Sequence, residues 1–205
     1  MENLKTPKEY GYVVKDGFCL FQRGPLSQWY GGFQGQTGGF DVININTSIY
    51  HCDNINEIFN SLSMAKHVFD IDKSYYVNTC EKWMMLNKAA LFKDFNILQS
   101  IKSTSNPKFA KDCGRQISNF EQSLWDKFKF DIVYIGNLEK FKQNVKLKEF
   151  LLSFSKDTIF AEAAPWDPIW GIGLGPKDIK ALDINKWEGE NLLGKVIQKV
   201  RKEID

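Results

Sequence analysis

Histidine is nearly absent from this sequence, which contains two, His51 and His67, among 205 residues. A zinc site or a histidine-based catalytic triad needs imidazoles that can be brought together with other ligands or with a nucleophile, and this pair is far apart in helical phase. No C-x-x-C pair is present, so the scattered cysteines are interpreted as reduced thiols of a cytoplasmic protein. They are Cys19, Cys52, Cys80 and Cys113. We therefore expect no metal and no cofactor, and chemistry performed without histidine.

Long apolar runs are also missing. No segment reaches the roughly 18 apolar residues of a membrane span, and the opening MENLKTPKEYGY has no apolar signal core. We expect a cytoplasmic protein with no membrane association. The net charge of +2 and the pI of about 8.2 are too balanced to imply nucleic-acid binding by themselves.

What the sequence does contain is typical of one globular domain over residues 1–205, with 43% hydrophobic and 25% charged residues. Aromatic residues are frequent at 14%, which a phenylalanine-rich core explains for most of them. Lining of a pocket for a flat ligand would explain a few.

The pattern along the chain predicts an α+β fold, a single compact and mainly helical domain with a small β-sheet. Strands are predicted at 10–22, around the turn Lys15-Asp16-Gly17, at 40–50 and at 156–163. Helices are predicted at 53–69, 79–95, 95–105, 119–139 with a break near 130 left open, 144–154, and at the amphipathic C-terminal segment. Residues 108–115 are predicted as a helix end or turn.

One predicted helix, Thr79–Phe95, carries two charges on its apolar face. Positions seven apart differ by only about 20° around a helix, so Glu81 and Lys88 share that face about 10 Å apart along the axis. Burying such charges is costly unless something pairs with them. The alternative left open is that both lie at the edge of the stripe and reach solvent.

The stretch EAAPWDPIWGIGLG, residues 162–175, joins carboxylates and tryptophans to alternate glycines. The glycines do not spell a dinucleotide-binding motif, but they allow a ligand or another backbone to approach closely. Because Pro168 follows it, Asp167 is expected on an extended backbone. Its carboxylate could cap a turn or serve a reaction.

The lysines between Lys127 and Lys148, interleaved with phenylalanines, could follow a phosphate backbone, although a solvated helix face with its phenylalanines inward fits as well. The paired amides of Gln143 and Asn144 are candidates to hold a base or a ribose.

Taken in order, these motifs resemble the NADAR (YbiA-like) family. They are GPLSQWY, CEKWMMLNKAALFKD, GRQISNFEQSLWD, EKFKQN, EAAPWDPIWGIG and WEGENLLGKVIQKVR. The resemblance implies a YbiA-like domain with a core at about 18–201, an N-terminal extension at 1–17 and an insertion at 50–76.

The resemblance implies an N-glycosidase that cleaves the bond between ribose C1 and an amino group, without a cofactor. It implies catalytic roles for Glu81, Lys88, Trp125 and Asp167. Lys88 would attack C1 or stabilise charge, the two carboxylates would transfer protons, and Trp125 would stack on the base or ribose. We expect residues 162–175 to form the opposite wall of one cavity with the Glu81 helix.

Substrate contacts are expected from cations that could hold phosphate, from amides and aromatic residues, and from the 162–175 stretch. They are Arg23, Gln28, Trp29, Arg115, Gln143, Asn144, Glu162, Trp170, Gly171, Gly173 and Asn191. Arg201, on the last helix, is expected to be an ion-pair partner instead.

Two substrates remain open for such an enzyme. The favoured one is ADP-ribose attached to guanine bases of DNA, with a DNA ADP-ribosyltransferase toxin as functional partner and an antitoxin or repair role. The other is a ribosylamino-pyrimidine intermediate of riboflavin synthesis. A non-catalytic module that binds ADP-ribose or NAD is the third interpretation.

Overall fold

The computed structural model describes residues 11–32, 38–41 and 75–205. Within them the chain forms six α-helices and five short strands, which confirms the predicted α+β fold with little sheet. None of the helices in this part of the chain is long and apolar enough to cross a bilayer. The described residues fall into two units, one from 11–30 and 145–205 and the other from 31–144.

The first unit is built on a three-stranded sheet. Strands β1 (Tyr12–Lys15) and β2 (Phe18–Phe21) form the predicted hairpin, and β2 pairs in parallel with β5 (Ile159–Glu162). The hairpin turn has positive φ at Asp16 (49°) and Gly17 (81°), the conformation that suits tight two-residue hairpins. Strand β5 runs into EAAPWDPIWGIGLG, which confirms the strand predicted just before that stretch.

Two helices complete this unit, α5 (Val145–Leu152) and α6 (Leu192–Ile204). A β-carbon on Gly194 would lie 2.2 Å from the carbonyl oxygen of Phe160, so only glycine lets α6 approach β5 this closely. Arg201, on α6, lies 4.0 Å from Asp205 and donates to the carbonyl of Phe154, as expected of an ion-pair residue.

In the second unit, four helices accompany a short two-stranded sheet. The helices are α1 (Cys80–Leu91), α2 (Phe95–Ser103), α3 (Pro107–Gly114) and α4 (Gln122–Gln143); the strands are β3 (Phe40–Asp41) and β4 (Tyr76–Val77). Helix α1 packs against the other three helices, which explains why its residues 80–87 are all buried. The helix is therefore not an amphipathic surface helix but the centre of the unit.

Helix α4 crosses α1 at a glycine. A β-carbon on Gly136 would lie 2.4 Å from the indole of Trp83, and the Trp83 nitrogen donates to the carbonyl of Ile132 at 2.7 Å. The small side chain is what allows this close approach. The thiol of Cys80 also donates to the carbonyl of Gly136, at 3.4 Å.

Several predicted boundaries are wrong. Helix α1 ends at Leu91 rather than 95, because Lys93 is left-handed (φ 57°) and Asp94 caps the next helix. Residues 107–114 form a full helix, since Asn106 is its N-cap and Pro107 occupies the first turn, where proline is favoured. Helix α4 runs without a break through residue 130.

The predicted helix 53–69, most of the strand at 40–50 and most of the insertion at 50–76 lie outside the described residues. The single domain, the N-terminal extension and the insertion therefore stay predictions.

Candidate active site

Lys88 lies in an aromatic cage near the end of α1. Its side chain is half-buried, and its Nζ lies 4.2 Å from the ring centre of Phe120 and 5.6 Å from that of Trp125. The same nitrogen donates to the carbonyl oxygen of Gly114 at 3.0 Å. The structure thus brings together Lys88 and Trp125, two residues that were predicted to act together.

A carboxylate clamp fixes the loop that carries Phe120. Asp94 caps α2 by accepting from the Ile97 N–H at 3.1 Å, and its other oxygen accepts from Ser118 N (2.9 Å) and Oγ (2.8 Å). Asn119 follows in the left-handed conformation, with φ 54°. These contacts hold Phe120 over Lys88, and its ring also packs on Phe92 at 5.0 Å.

The surroundings of Lys88 make its ammonium form less stable than it would be in water. Burial lowers the pKa of Lys88 below its usual 10.5, because an ammonium group loses water that the cage does not replace. Among the described residues no carboxylate pairs with this amine, and Gly114 supplies its hydrogen-bond acceptor. A partly desolvated lysine without a counter-ion is the arrangement that activates an amine as a nucleophile.

Glu81 lies in the first turn of the same helix and is buried, with 2% of its surface exposed. The alternative that both charges lie at the edge of the stripe is therefore wrong for Glu81. Two neighbouring ionisable groups share its surroundings. Burial raises the pKa of the Cys80 thiol to about 11, opposed by the charge of Lys140 and reinforced by that of Glu81.

Lys140 is a buried lysine that the sequence motifs did not single out. It is 0% exposed, and burial lowers its pKa. The sequence does contain a pattern that indicates this burial. Phe128, Ile132 and Gly136 precede Lys140 at intervals of four, and all of them are buried on the inner side of α4 or in contact with α1. Phe120 was also missed, and no local pattern could reveal its contact with Lys88.

Asp167 lies in the first unit and caps a turn. Its Oδ1 accepts from the N–H groups of Ile169 (3.1 Å) and Trp170 (2.8 Å). Both bonds end on Oδ1, so this turn does not use the second carboxylate oxygen. Of the two roles left open for this carboxylate, the structure shows the turn cap, and its catalytic role stays a prediction.

Two of the three glycines of the 162–175 stretch, Gly171 and Gly173, are packed against backbone. A β-carbon on Gly171 would lie 2.8 Å from the carbonyl oxygens of Glu162 and Asp167, and one on Gly173 would lie 3.0 Å from the backbone of Glu188. The close neighbours that these two glycines admit are therefore other segments of the same unit. Substrate contact at Glu162, Trp170, Gly171 and Gly173 stays a prediction.

Three of the amide side chains predicted to contact the substrate form hydrogen bonds to the backbone of strands or of residues beside them. Gln143 exchanges hydrogen bonds with the backbone of Asp41, at 2.8 and 3.2 Å, and Asn144 donates to the carbonyl of Gly39. Asn191 donates to the carbonyl of Phe160 and accepts from the N–H of Glu162. Each has a structural task, and a substrate contact for them stays a prediction.

The predicted cations are exposed. Arg115, at the end of α3, pairs with Asp112 at 3.7 Å, and Arg23 lines a cavity of about 280 Å³ in the first unit. Both guanidinium groups are accessible to an anion. Trp29 is likewise exposed.

Gln28 differs from the other amides. Its side chain is 7% exposed, and neither amide atom has a hydrogen-bond partner among the described residues. Buried amides are nearly always satisfied, so Gln28 is an exception, and a substrate contact for it stays a prediction. No cluster of histidine, cysteine and carboxylate side chains able to hold a metal occurs in the described ranges.

Comparison with known proteins assigns this chain to a family. The NADAR domain model matches residues 22–205. The chain belongs to the NADAR family. It is 41% identical over 150 residues to the N-glycosidase R617 of Acanthamoeba polyphaga mimivirus, a match that covers 73% of this chain and 82% of the viral protein. It is 38% identical over 129 residues to Protein irg-1 of Caenorhabditis elegans, covering 62% of this chain and 60% of the nematode protein.

The match confirms the resemblance inferred from the motifs. It includes every predicted site residue, since Arg23 and Asn191 both lie within residues 22–205. In this NADAR chain the residues Glu81, Lys88 and Trp125 belong to the second unit, and Asp167 to the first. That Asp167 faces the other three across one cavity stays a prediction.

Proposed function

We propose that this NADAR protein is an N-glycosidase that removes ADP-ribose from guanine bases of DNA. The broader activity, hydrolysis of a bond between ribose C1 and an amino group, is supported by the family match and by the similarity to the N-glycosidase R617 of mimivirus. The observation that carries the proposal is the half-buried Lys88 amine, held among aromatic rings with no carboxylate partner in the described part of the chain.

The chemistry suits a substrate whose exocyclic nitrogen is bonded to an anomeric carbon. Such a substrate can open its ribose ring when a carboxylic acid, proposed to be Glu81 or Asp167, donates a proton to the ring oxygen. This gives a protonated C=N bond at C1 and a hydroxyl at the former ring oxygen. The lone pair of neutral Lys88 then attacks C1, and a proton passes from Nζ to the exocyclic nitrogen. The bond to the base breaks, with its electron pair remaining on the base nitrogen.

The product of this exchange is a protonated imine between C1 and Lys88. Water adds to C1 and the C–N bond to lysine breaks, while the released proton returns to the carboxylate that opened the ring. The aldehyde form of ADP-ribose leaves as the free amine is restored. Glu81 and Asp167 are the carboxylates proposed for proton transfer, and Trp125 for stacking on base or ribose. Direct attack of water on C1 is the competing route, and it forms no bond to Lys88.

Recognition of ADP-ribose requires contacts to two phosphates. The exposed guanidinium groups of Arg23 and Arg115 are proposed for this task, because guanidinium binds phosphate in a bidentate way. The unsatisfied amide of Gln28 is proposed to bind a ribose hydroxyl or base edge. The proposal includes a cytoplasmic location and functional pairing with a DNA ADP-ribosyltransferase toxin.

A small ribosylamino-pyrimidine is the alternative substrate, and one observation favours it. Two lysines of the lysine-rich segment are not free to join a basic strip along a phosphate backbone, since Lys140 is buried and Lys129 pairs with Asp126 at 2.6 Å. Phe128 and Phe141 are buried as well. The prediction of a helix face with its phenylalanines inward is therefore confirmed at Phe128 and Phe141. A small substrate needs no such strip.

The deciding experiment offers the protein two substrates. One is an oligonucleotide carrying ADP-ribose on guanine, and the other is the ribosylamino-pyrimidine. Release of free ADP-ribose from the first alone supports the proposal, whereas cleavage of the second alone supports the alternative. Tight binding of ADP-ribose with no cleavage of either would overturn the enzyme assignment.

Matched variants connect the activity to the site. Lys88→Ala should abolish cleavage, while Lys108→Ala, an exposed lysine on α3, should leave it unchanged. Sodium borohydride should trap an ADP-ribose adduct on the wild type and on Lys108→Ala, and none on Lys88→Ala. Cleavage without any adduct would exclude the imine and support direct attack of water.

A further inference from the structure

Phe120 is an aromatic residue whose position needs an explanation. It is 40% exposed, yet its ring centre lies 4.2 Å from the Lys88 amine. The clamp described above, from Asp94 through Ser118 and the left-handed Asn119, holds it there. A left-handed non-glycine residue costs free energy and persists where the surrounding contacts enforce it.

The described residues around Lys88 provide one hydrogen-bond acceptor and two aromatic rings. An ammonium group has three N–H donors, and among the described residues the carbonyl of Gly114 is its hydrogen-bond acceptor. The remaining directions include the faces of Phe120 and Trp125, which attract a cation but are much weaker hydrogen-bond acceptors than a carbonyl oxygen. Within the described residues the cage thus offers one hydrogen-bond acceptor for the three donors of an ammonium.

A protonated imine fits the same surroundings better. It carries one N–H, which the Gly114 carbonyl can accept, and its positive charge is spread over nitrogen and carbon. Such a planar cation has little water to lose, so the two aromatic faces compensate its desolvation well. The cage discriminates between the two cations by the number of donors that each must satisfy.

We propose that Phe120 is a further catalytic residue, which stabilises the protonated imine formed on Lys88 by presenting the face of its ring to that cation. This inference rests on the proposed function, since it requires the lysine adduct. It assigns the Gly114 carbonyl as the acceptor for the imine N–H and Trp125 as the second aromatic face.

The test varies the charge distribution of the ring while keeping its shape. Phe120 is replaced by phenylalanine carrying one, two and three fluorine atoms, which progressively weaken the negative face of the ring. The single-turnover rate of borohydride-trappable adduct formation should fall stepwise, with its logarithm linear in the calculated cation affinity of the ring. Phe120→Leu should lose about tenfold, and Phe120→Tyr should stay within about threefold of wild type.

Two controls separate electrostatics from folding. Phe109→Leu, at an exposed phenylalanine on α3, should leave the rate unchanged. Because the fluorinated rings have nearly the shape of the original, a loss of folding cannot mimic a linear trend, and thermal unfolding of each variant checks this directly.

The outcomes distinguish this inference from the function on which it rests. If the wild type forms no trappable adduct, the imine mechanism itself fails. If the wild type forms the adduct and the trifluorinated and leucine variants form it equally fast, the imine mechanism stands and the role of Phe120 is overturned. A rate that falls only in Phe120→Leu would reduce Phe120 to an apolar cover.

Discussion

The amine of Lys88 donates a hydrogen bond to the carbonyl oxygen of Gly114 at 3.0 Å. This contact joins α1 to the end of α3 and fixes the position of a nitrogen that is partly removed from water. The carbonyl can orient the amine but cannot take its proton, so the protonation state of Lys88 is set by burial and by pH.

The first prediction concerns the pH dependence of the reaction. Burial lowers the pKa of Lys88 below 10.5, and the proposed attack requires the neutral amine. The single-turnover rate should therefore rise with pH through a limb that lies below 10.5, as the amine loses its proton. The rate of adduct trapping measured across this range tests it, and a rate independent of pH would argue against a lysine nucleophile.

A second prediction concerns Asp94. Burial acts to raise its pKa, but hydrogen bonds from Ser118, Ile97 and Asn96 outweigh that effect and hold the pKa below 3.8. A carboxyl with a depressed folded pKa contributes stability that is present above its unfolded pKa, and that stability is lost as pH falls through the folded pKa.

Asp94→Ala should therefore lower the free energy of unfolding by about 1 kcal/mol at neutral pH, as expected for the loss of an N-cap. The difference from wild type should shrink below about pH 4. Urea unfolding at pH 7 and pH 3 measures both effects, and Asp157→Ala, at an exposed aspartate, is the control. An unchanged difference at the two pH values would show that charge is not the cause.

Local rules predict a good part of this molecule. The turn at Asp16 and Gly17 defines the first hairpin, and Thr79 caps α1 by accepting from the N–H of Lys82 at 3.2 Å. The position of Glu81 and Lys88 on one helix also follows from spacing alone. What spacing does not reveal is how deeply α1 is buried, because that depends on the three helices packed around it.

The parts that could not be predicted depend on contacts distant in sequence. Phe120 contacts Lys88, 32 positions earlier, only because Asp94 holds Ser118. The amides of Gln143 and Asn144 resemble ligand contacts in the sequence, but their partners are backbone groups about a hundred residues away. A polar side chain near a loop does not reveal whether its partner will be a substrate or a strand.

The crossing of α1 and α4 gives a third prediction. Gly136→Ala would place a methyl group 2.4 Å from the Trp83 ring, which is rigid and held by its bond to Ile132. The substitution should lower the free energy of unfolding by about 1–3 kcal/mol, the usual cost of overpacking. Gly175→Ala is the control, since nothing lies within 4 Å of its added carbon. Equal unfolding curves for the two variants would contradict this packing.

Glu81 leads to a fourth prediction. Glu81→Gln keeps the shape of the buried side chain but removes its ability to exchange a proton, so turnover should fall by about a hundredfold or more. Glu149→Gln, at an exposed glutamate, should have no effect. Turnover and thermal unfolding are measured together, and a variant that is less stable but fully active would make Glu81 a structural residue.

Asp167 allows its two roles to be separated by a pair of variants. Asp167→Asn keeps an oxygen that can accept from the Ile169 and Trp170 N–H groups, so the turn should persist while the charge is lost. Asp167→Ala loses both, and should also lower stability by about 1 kcal/mol. If the carboxylate transfers a proton, both variants should lose about a hundredfold in turnover. Full activity in Asp167→Asn, with reduced stability in Asp167→Ala, would leave the turn cap as its role.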